Sequence, residues 1–438
     1  MITIAATEYQ QRRQRLLAEL DANGIAVIAA AAIVERNEGV EYPYRQDSNF
    51  QYLTGFPEPE ALLVLVPNRA EGQVILFCRD RDPLLEVWTG IRAGQEGAIK
   101  NYGVDQAFSI KQLDEIMPTL LDGRSKVYSL IATQHDVQQQ LRKWVEVVRS
   151  RAKQDAVAPT TFKALEPILH EMRLHKSEAE LAVMQYAMDI SAKAHIRAMQ
   201  ESKAGLYEYS LEAALEYEFR RGGARLVAYN SIVASGSNAC ILHYQDNNAQ
   251  LKAGDLVMID AGCEVDCYAS DISRTFPVTG KFSAEQKALY EIVLAANMAA
   301  IGEVAPNKPY QAPHDIAVKI ITEGLVELGI LQGNVETLIA NKAYTEFYMH
   351  STGHWLGLDV HDVGAYRINK QSRPFEAGMV LTIEPGIYIA PDNTKVAEKW
   401  RGIGIRIEDN VVVTEQGHRV MTANAPKTIA EIESLMAC

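Results

Sequence analysis

Two aspartates, Asp260 and Asp271, stand eleven residues apart in a stretch that predicts a β-hairpin. Apolar residues flank each of them, and a polar segment at 264–266 separates the two flanks. A turn at Val265-Asp266 would place the carboxylates opposite each other, with Cβ atoms about 5 Å apart on one face. Two ionised carboxylates that close repel, so one binds a proton or a cation lies between them. We therefore predict a metal site, the alternative being a surface hairpin with two solvated aspartates.

Three of the ten histidines, His350, His354 and His361, lie within twelve residues of one another. The four-residue spacing of the first two is that of a helical zinc site. Gly353 between them and the lack of a glutamate after His350 nevertheless exclude the HExxH motif. Each histidine alone would more often be an ordinary hydrogen-bonded residue, whereas the cluster leaves a functional and a structural role equally open.

Two glutamates, Glu384 and Glu408, accompany apolar strand patterns further along the chain. Glu384 ends a predicted strand in GMVLTIEPGIYIA, because Pro385-Gly386 halts the pattern at once. Arg406 and Glu408 share one face of RGIGIRIEDNVVV, opposite its alternating isoleucines. The alternatives are a turn-capping role for Glu384 and a surface ion pair between Arg406 and Glu408.

Four carboxylates and one imidazole thus form the candidate ligand set: Asp260, Asp271, His354, Glu384 and Glu408. Four negative charges match two divalent cations, and oxygen-rich ligation favours Mn²⁺, Co²⁺ or similar ions. Two metals roughly 3.5 to 4 Å apart can hold a bridging hydroxide and polarise a carbonyl together.

These residues all fall in the second part of a chain whose 438 residues suit two domains. Residues 1–170 alternate short strands with helices, as in an α/β domain, and the break at 154–167 predicts a linker. Residues 171–438 alternate paired helices with strand blocks, an α+β plan. In this part a capping box at Ser177 and Glu180 and a Ser-x-x-Gln cap at Ser283 and Gln286 predict two helix starts.

Composition and charge exclude several classes of protein. A net charge of −13 argues against nucleic acid or an anionic membrane surface as a partner. The longest apolar run, at 24–34, is too short for a membrane helix, and the N-terminus lacks an apolar signal segment. An odd number of cysteines with no CxxC pair predicts reduced thiols and excludes a thiolate zinc site: Cys78, Cys240, Cys263, Cys267 and Cys438. We expect a cytoplasmic protein.

The order of the ligands and the sequence segments around them resemble those of the dinuclear-metal pita-bread peptidases, and of the aminopeptidase P family in particular. D-x10-D is followed by a histidine, by the glutamate of IEPG and by the glutamate of GIRIED. The matching segments include HYQDNN, DAGCE, SDISRTFPV, HWLGLDVHD and EPGIYI. RNEGVEYPYRQDSNFQYLTGFPEPEA and EVWTGIRAGQEGA resemble the family's N-terminal domain, so the resemblance covers nearly the whole chain.

This resemblance implies an α+β protein whose C-terminal pita-bread catalytic domain follows a smaller α/β domain. It implies a manganese-dependent exopeptidase that releases the N-terminal residue when proline follows it, with two metal ions per subunit. Asp271 and Glu408 would bridge the ions, Asp260 would complete one, and His354 with Glu384 the other. Glu384 would also be the general base for the bridging water. A bond to proline lacks an N–H, and metal polarisation of the carbonyl needs none.

The resemblance also implies which residues meet the peptide substrate. His243 and His361 would hydrogen-bond the substrate and the tetrahedral intermediate, with His350 nearby. Tyr388 and Arg406 would lie in the pocket wall or just behind it.

The resemblance also implies two expectations for residues outside this set. Trp88 would reach the site of a neighbouring subunit in a tetramer, a dimer being the alternative. Arg373 is the expected substrate-contacting arginine.

Four other functions remain as alternatives. A prolidase shares all five ligands and differs in taking only dipeptides. A methionine aminopeptidase fits less well, because the N-terminal part is large and resembles the proline-specific branch. A non-catalytic pita-bread binding module or a metal-free creatinase-like enzyme would lack much of the ligand set.

Overall fold

A six-stranded mixed sheet organises the first of two units in the computed structural model, which describes residues 2–437. This unit spans Thr3–Arg173. Its strands are β1 Gly24–Ala29, β2 Glu35–Asn37, β3 Val40–Glu41, β4 Leu62–Leu65, β5 Val74–Cys78, β6 Gln106–Ser109, β7 Lys126–Ser129 and β8 Thr161–Ala164. Its helices are α1 Ala6–Glu19, α2 Ser48–Thr54, α3 Pro83–Thr89, α4 Gly94–Tyr102, α5 Leu113–Leu121, α6 His135–Ser150 and α7 Glu166–Leu174.

The main sheet has the strand order β6-β5-β4-β1-β7-β8. Its central strands β1, β4 and β5 are continuous apolar runs and are buried on both alternating faces. Such runs belong to strands that are covered on both sides, as in α/β domains. Side chains of α5 and α6, including Leu121 and Trp144, complete the core of this unit.

The linker predicted at 154–167 is wrong. The segment contains β8, which pairs in parallel with β7 as the edge strand of the sheet. All four residues of β8 are exposed, so no apolar alternation marked it as a strand. The structure divides the chain after Arg173, near the end of α7, and the division predicted at residue 170 lies inside the same helix.

The second unit begins at Leu174 and mixes helices with short antiparallel strands. Its helices are α8 Glu178–Glu201, α9 Glu208–Arg221, α10 Ala284–Gly302, α11 Ala312–Glu327, α12 Val335–Ala340 and α13 Ile429–Leu435. Its strands are β9 Leu226–Val227, β10 Ile232–Ser235, β11 Leu256–Asp260, β12 Cys263–Val265, β13 Tyr268–Ala269, β14 Ser273–Pro277, β15 Arg367–Ile368, β16 Gln371–Ser372, β17 Val380–Ile383, β18 Gly386–Ile389, β19 Ile403–Arg406, β20 Asp409–Thr414 and β21 Gly417–Val420.

Two helix pairs and three three-stranded sheets form the frame of this unit, and one of the sheets has the order β13-β12-β9. Helix α8 packs on α9 and α10 packs on α11, while the other two sheets have the orders β10-β11-β14 and β17-β20-β21. Both predicted capping motifs are present, with Ser177 and Glu180 opening α8 and Ser283 and Gln286 opening α10. Each motif satisfies backbone N–H groups that a helix start would leave unpaired.

The hairpin that carries the two aspartates has a different register from the one predicted. Asp260 pairs with Ser273 rather than with Asp271, because the chain turns at Asp266 and Cys267. Both turn residues have positive φ, 49° and 67°, as in a two-residue type I′ turn. The shift of two positions keeps both carboxylates on one face, since side chains alternate with period two.

The helices within residues 2–437 are all too short or too polar to span a bilayer.

Candidate metal centre

One cavity of about 820 Å³ in the second unit collects the candidate site residues. Asp260 ends β11, Glu384 directly follows β17, and Glu408 stands between β19 and β20. The cavity is lined by all five candidate ligands and by four further candidates, His243, His350, His361 and Arg406. Three separate strand ends therefore deliver the carboxylates to a common wall.

The two aspartates of the hairpin meet at the hydroxyl of Tyr229. This oxygen lies 2.6 Å from Oδ1 of Asp260 and 2.5 Å from Oδ1 of Asp271. A hydroxyl has a single hydrogen, so it satisfies only one carboxylate at a time. The backbone of Asp271 is held by Asn410, whose side-chain Oδ1 accepts from the Asp271 N–H at 3.0 Å.

His354 is oriented so that one ring nitrogen faces the carboxylates. Its Nδ1–H donates to the carbonyl oxygen of Trp355 at 3.0 Å, which leaves Nε2 pointing to the cavity. Nε2 lies 3.4 Å from Oδ2 of Asp271 and 3.7 Å from Oε1 of Glu384. A backbone carbonyl that fixes the tautomer in this way is typical of a metal-binding histidine.

Ser273 and Arg406 hold the carboxylates from behind. The Ser273 hydroxyl donates to Oε2 of Glu408 at 2.7 Å and accepts from Nε of Arg406 at 2.9 Å. Nη2 of Arg406 donates to Oδ2 of Asp260 at 2.6 Å. Tyr388 does not line the cavity, but its hydroxyl accepts from Nη1 of Arg406 at 3.1 Å and donates to Nε2 of His350 at 2.9 Å. Arg406 and Glu408 are thus buried, and the alternative of a surface ion pair is wrong.

The pKa values of the four carboxylates indicate that the site contains too little positive charge to balance them. Burial, with Asp271 and Glu384 close by, raises the pKa of Glu408 well above its ordinary value. Burial also raises the pKa of Glu384, to about 7, and that of Asp260. Burial acts against ionisation of Asp271 as well, but the neighbouring His354 holds the pKa of Asp271 below its ordinary value.

Divalent cations fit this donor set. Asp271, His354 and Glu408 offer one ligand atom each, and the three atoms lie within 4.8 Å of one another. Carboxylate oxygens and an imidazole nitrogen suit Mn²⁺, Co²⁺ and Zn²⁺. Bound cations would reverse the pKa shifts of the carboxylates and let all four ionise.

Arg373 differs from the sequence-based expectation, Tyr229 was missed by it, and the expectation for Trp88 stays a prediction. Arg373 is buried and bonds Glu376 at 3.0 Å, whereas Arg367 lines the cavity. Tyr229 was not predicted, because it precedes Asp260 by 31 positions and no local pattern connects them. Trp88 belongs to the first unit, on α3, where its side chain is 85% exposed.

An α+β unit with a carboxylate-rich, histidine-containing centre in its main cavity is the arrangement of a metal-dependent hydrolase. Residues 182–415 match the family model described as metallopeptidase family M24, and residues 9–128 match that of the aminopeptidase P N-terminal domain. The chain belongs to metallopeptidase family M24, within the group of Xaa-Pro aminopeptidase relatives.

Proteins similar along the whole length support this assignment. The chain is 46% identical over 437 residues to the Xaa-Pro aminopeptidase of Escherichia coli (strain K12), covering 100% of this chain and 99% of the relative. The structure of Pseudomonas aeruginosa aminopeptidase PepP matches with a TM-score of 0.99 and 58% identity, covering 100% and 99% of the two chains. E. coli aminopeptidase P with the inhibitor Pro-Leu matches with a TM-score of 0.96 and 46% identity, covering 99% and 98%.

The predicted family and fold class are therefore confirmed. A smaller α/β domain precedes an α+β catalytic domain of the pita-bread class, as the motifs implied.

Proposed function

We propose that this chain is a metal-dependent Xaa-Pro aminopeptidase, which releases the first residue of a peptide whose second residue is proline. The observation that carries the proposal is the convergence of the five candidate ligands on one cavity. This convergence occurs in a chain that is 46% identical to an Xaa-Pro aminopeptidase from end to end.

The metal would be held by Asp260, Asp271, His354, Glu384 and Glu408. Divalent ions would meet Asp271, His354 and Glu408 at the centre of this set, because one ligand atom of each lies within 4.8 Å of the others. Two such ions, when bound, supply Lewis-acid activation of a water molecule and of the scissile carbonyl.

Side chains of the protein would accept the proton of the attacking water and stabilise the oxygen of the scissile carbonyl. Glu384 is the proposed general base, since its carboxylate lies in the cavity wall. His243 and His361 are proposed to donate hydrogen bonds to the substrate carbonyl as negative charge develops on its oxygen. His350 would share this region, 3.7 Å from Oε2 of Glu384. Arg406, in the cavity wall, would fix the position of Asp260, and Tyr388, behind the wall, would fix that of His350.

An aminopeptidase explains the comparisons better than a prolidase does. The E. coli structure contains Pro-Leu, which is the product left when one residue is removed from Xaa-Pro-Leu. A prolidase would instead leave free proline. A non-catalytic binding module would not retain five convergent ligands.

The first experiment compares an Xaa-Pro-Xaa tripeptide with the matching Xaa-Pro dipeptide, using chelated and Mn²⁺-loaded protein. We expect cleavage of the tripeptide only with metal. Cleavage confined to the dipeptide would identify a prolidase, and no cleavage of either would contradict an enzymatic function.

We also propose that the ions are manganese. The support is the oxygen-rich donor set, which favours Mn²⁺ and Co²⁺ over thiophilic ions. Metal analysis of protein purified without added metal, followed by reconstitution of the chelated protein with Mn²⁺, Co²⁺ or Zn²⁺, tests this. Highest activity with another ion would replace manganese in the proposal.

We propose a tetramer in solution, in which Trp88 contributes to a substrate site. The support is an apolar patch on and after α3, where Leu84, Val87, Trp88 and Ile91 are each at least 80% exposed. Patches of this kind mark association surfaces. Sedimentation equilibrium should give four copies, and a Trp88→Ala variant should lose activity toward peptides. A monomer with full activity would contradict this proposal.

We propose a cytoplasmic location, supported by the free thiols of Cys78, Cys240 and Cys263, of which Cys78 and Cys263 are buried. Cys438 lies outside the described residues. Fractionation of cells that express the chain tests the compartment.

A further inference from the structure

The loop at 236–249, between β10 and β11, brings His243 to the cavity. Leu242, His243 and Gln245 of this loop all line the cavity wall. The loop starts as a short 3-10 turn and has no strand or long helix of its own. Its shape must therefore be set by contacts to side chains outside it.

A single buried carboxylate, that of Glu208, is bonded to the loop at both ends. Oε1 accepts from the N–H and the hydroxyl of Ser235, both at 2.7 Å, and from Nδ2 of Asn238 at 3.0 Å. Oε2 accepts from the hydroxyl of Tyr244 and from the N–H of Ala249, both at 2.8 Å. Glu208 has 0% exposure.

The groups that bind Glu208 are all neutral, unlike those around a structural ion pair. A buried carboxylate is costly unless hydrogen bonds replace its lost hydration. Five donors at 2.7 to 3.0 Å provide this compensation and fix the geometry of the groups that donate. Glu208 does not line the cavity, so it acts on the site only through the residues that it bonds, which are those of the loop and Ser235 at the end of β10.

Tyr244 links this carboxylate to the adjacent His243. The Tyr244 ring is buried in an apolar cluster with Ile232, Met258 and Tyr388, and its hydroxyl bonds Glu208. With both ends of the Tyr244 side chain fixed, the backbone of the neighbouring residue is fixed too. His243, which is exposed, is then directed into the cavity.

We propose that Glu208 is a positioning residue that holds His243 in place for the reaction, acting through Tyr244 and the loop ends. The inference rests on the proposed function and adds a residue to it. A donor that acts on developing charge must be placed before the reaction begins, because a displacement of about 1 Å can cost about a hundredfold in rate.

A double-mutant cycle tests the proposal with Mn²⁺-loaded protein and an Xaa-Pro-Xaa peptide. Tyr244→Phe removes one hydrogen bond and keeps the ring, and Glu208→Gln changes the acceptor. Each should lower kcat about tenfold or more, with KM changed little, as for an interaction made in the transition state. In a His243→Ala background neither change should lower kcat further.

A matched control is Tyr186→Phe on α8. This change removes a tyrosine hydroxyl that donates to the Gly222 carbonyl at 2.8 Å. It should leave kcat unchanged. If Glu208→Gln does not fold, the Tyr244→Phe arm of the cycle decides.

Three results would overturn the inference: equal losses with and without His243, no loss in either Tyr244→Phe or Glu208→Gln, or full activity of His243→Ala. Failure of the wild-type protein to cleave the tripeptide would instead overturn the proposed function itself. The two failures are therefore distinguishable within one set of assays.

Discussion

Glu408 and Asp409 are neighbours in the chain and are both buried, yet their carboxylates have opposite surroundings. Asp409 lies 2.8 Å from Nη2 of Arg274 and 2.6 Å from Nζ of Lys427. Burial acts to raise its pKa, but these two cations lower it to about 2. Glu408 faces Asp271 and Glu384 instead, and its pKa is raised well above the ordinary value.

The difference separates structural from functional charge. Around Asp409 the chain supplies its own cations, so the network is complete without any ligand. Around Glu408 the chain supplies more carboxylates than cations, and the balance must come from solution. Strand alternation sends the two neighbouring side chains to these two environments.

Among the predicted changes, Glu384→Gln should have the largest effect, and it tests the functional carboxylates around Glu408. Removing the proposed base and one ligand charge should lower kcat by about 10²- to 10⁴-fold, the usual contribution of general acid–base groups. Folding should be intact, because one repelling carboxylate has been removed. Peptide hydrolysis and thermal unfolding measure the two effects.

The matched control is Glu415→Gln, the same change on an exposed residue between β20 and β21. Its activity should equal that of the wild type. Near-normal turnover of Glu384→Gln would remove Glu384 from its proposed role.

Asp409→Asn tests the structural network, in which Asp409 pairs with Arg274 and Lys427. The change leaves the buried Arg274 and the half-buried Lys427 without their charged partner, and breaking a buried pair costs about 3–5 kcal/mol of unfolding free energy. Glu408→Gln in metal-free protein should cost much less, since it relieves repulsion. Urea unfolding with a chelator present compares the two variants, and equal losses would contradict the distinction.

The pH dependence of metal-free stability should sharpen the comparison. The folded-state pKa of Glu384 is raised from 4.5 to about 7, so its contribution to stability is present below pH 4.5 and is lost as the pH rises through 7. The loss should be on the order of 2–3 kcal/mol. The melting temperature of the metal-free wild type should thus fall relative to Glu384→Gln between pH 5 and 8.

Loading with Mn²⁺ is the control for this pH effect. Cations at the site let the carboxylate ionise, and the difference between wild type and Glu384→Gln should lose its pH dependence. A constant difference in the metal-free proteins would mean that burial does not raise the pKa of Glu384.

Local patterns were sufficient to predict the candidate ligands. Each carboxylate stands at or beside the end of an apolar strand, so alternation and Pro385 were enough to single out Asp260, Glu384 and Glu408. The capping motifs at Ser177 and Ser283 located two helices for the same reason. The strand ends, the aspartate hairpin and the histidine cluster together gave the five candidate ligands that the structure collects in one cavity.

Features that depend on distant contacts could not be predicted. The turn at Asp266 and Cys267 has two left-handed residues, neither of them glycine, and so gave no signal for the register. Residues 240–244 had the apolar pattern of a strand but form part of the loop held by Glu208. The contact of Tyr229 with the aspartates arises only when β9 and β11 are folded together.

The smallest predicted effect comes from two lysines with nearly identical ion-pair distances. Nζ of Lys281 lies 2.7 Å from Glu433, and Nζ of Lys427 lies 2.6 Å from Asp409. Lys281 is 70% exposed, so water can replace its partner, whereas the Asp409 carboxylate is fully buried. Lys281→Gln should leave the urea midpoint unchanged within error, and Lys427→Gln should lower it clearly. Equal shifts would mean that distance rather than burial determines the strength of these pairs, and the contrast between Asp409 and Glu408 would then need a different cause.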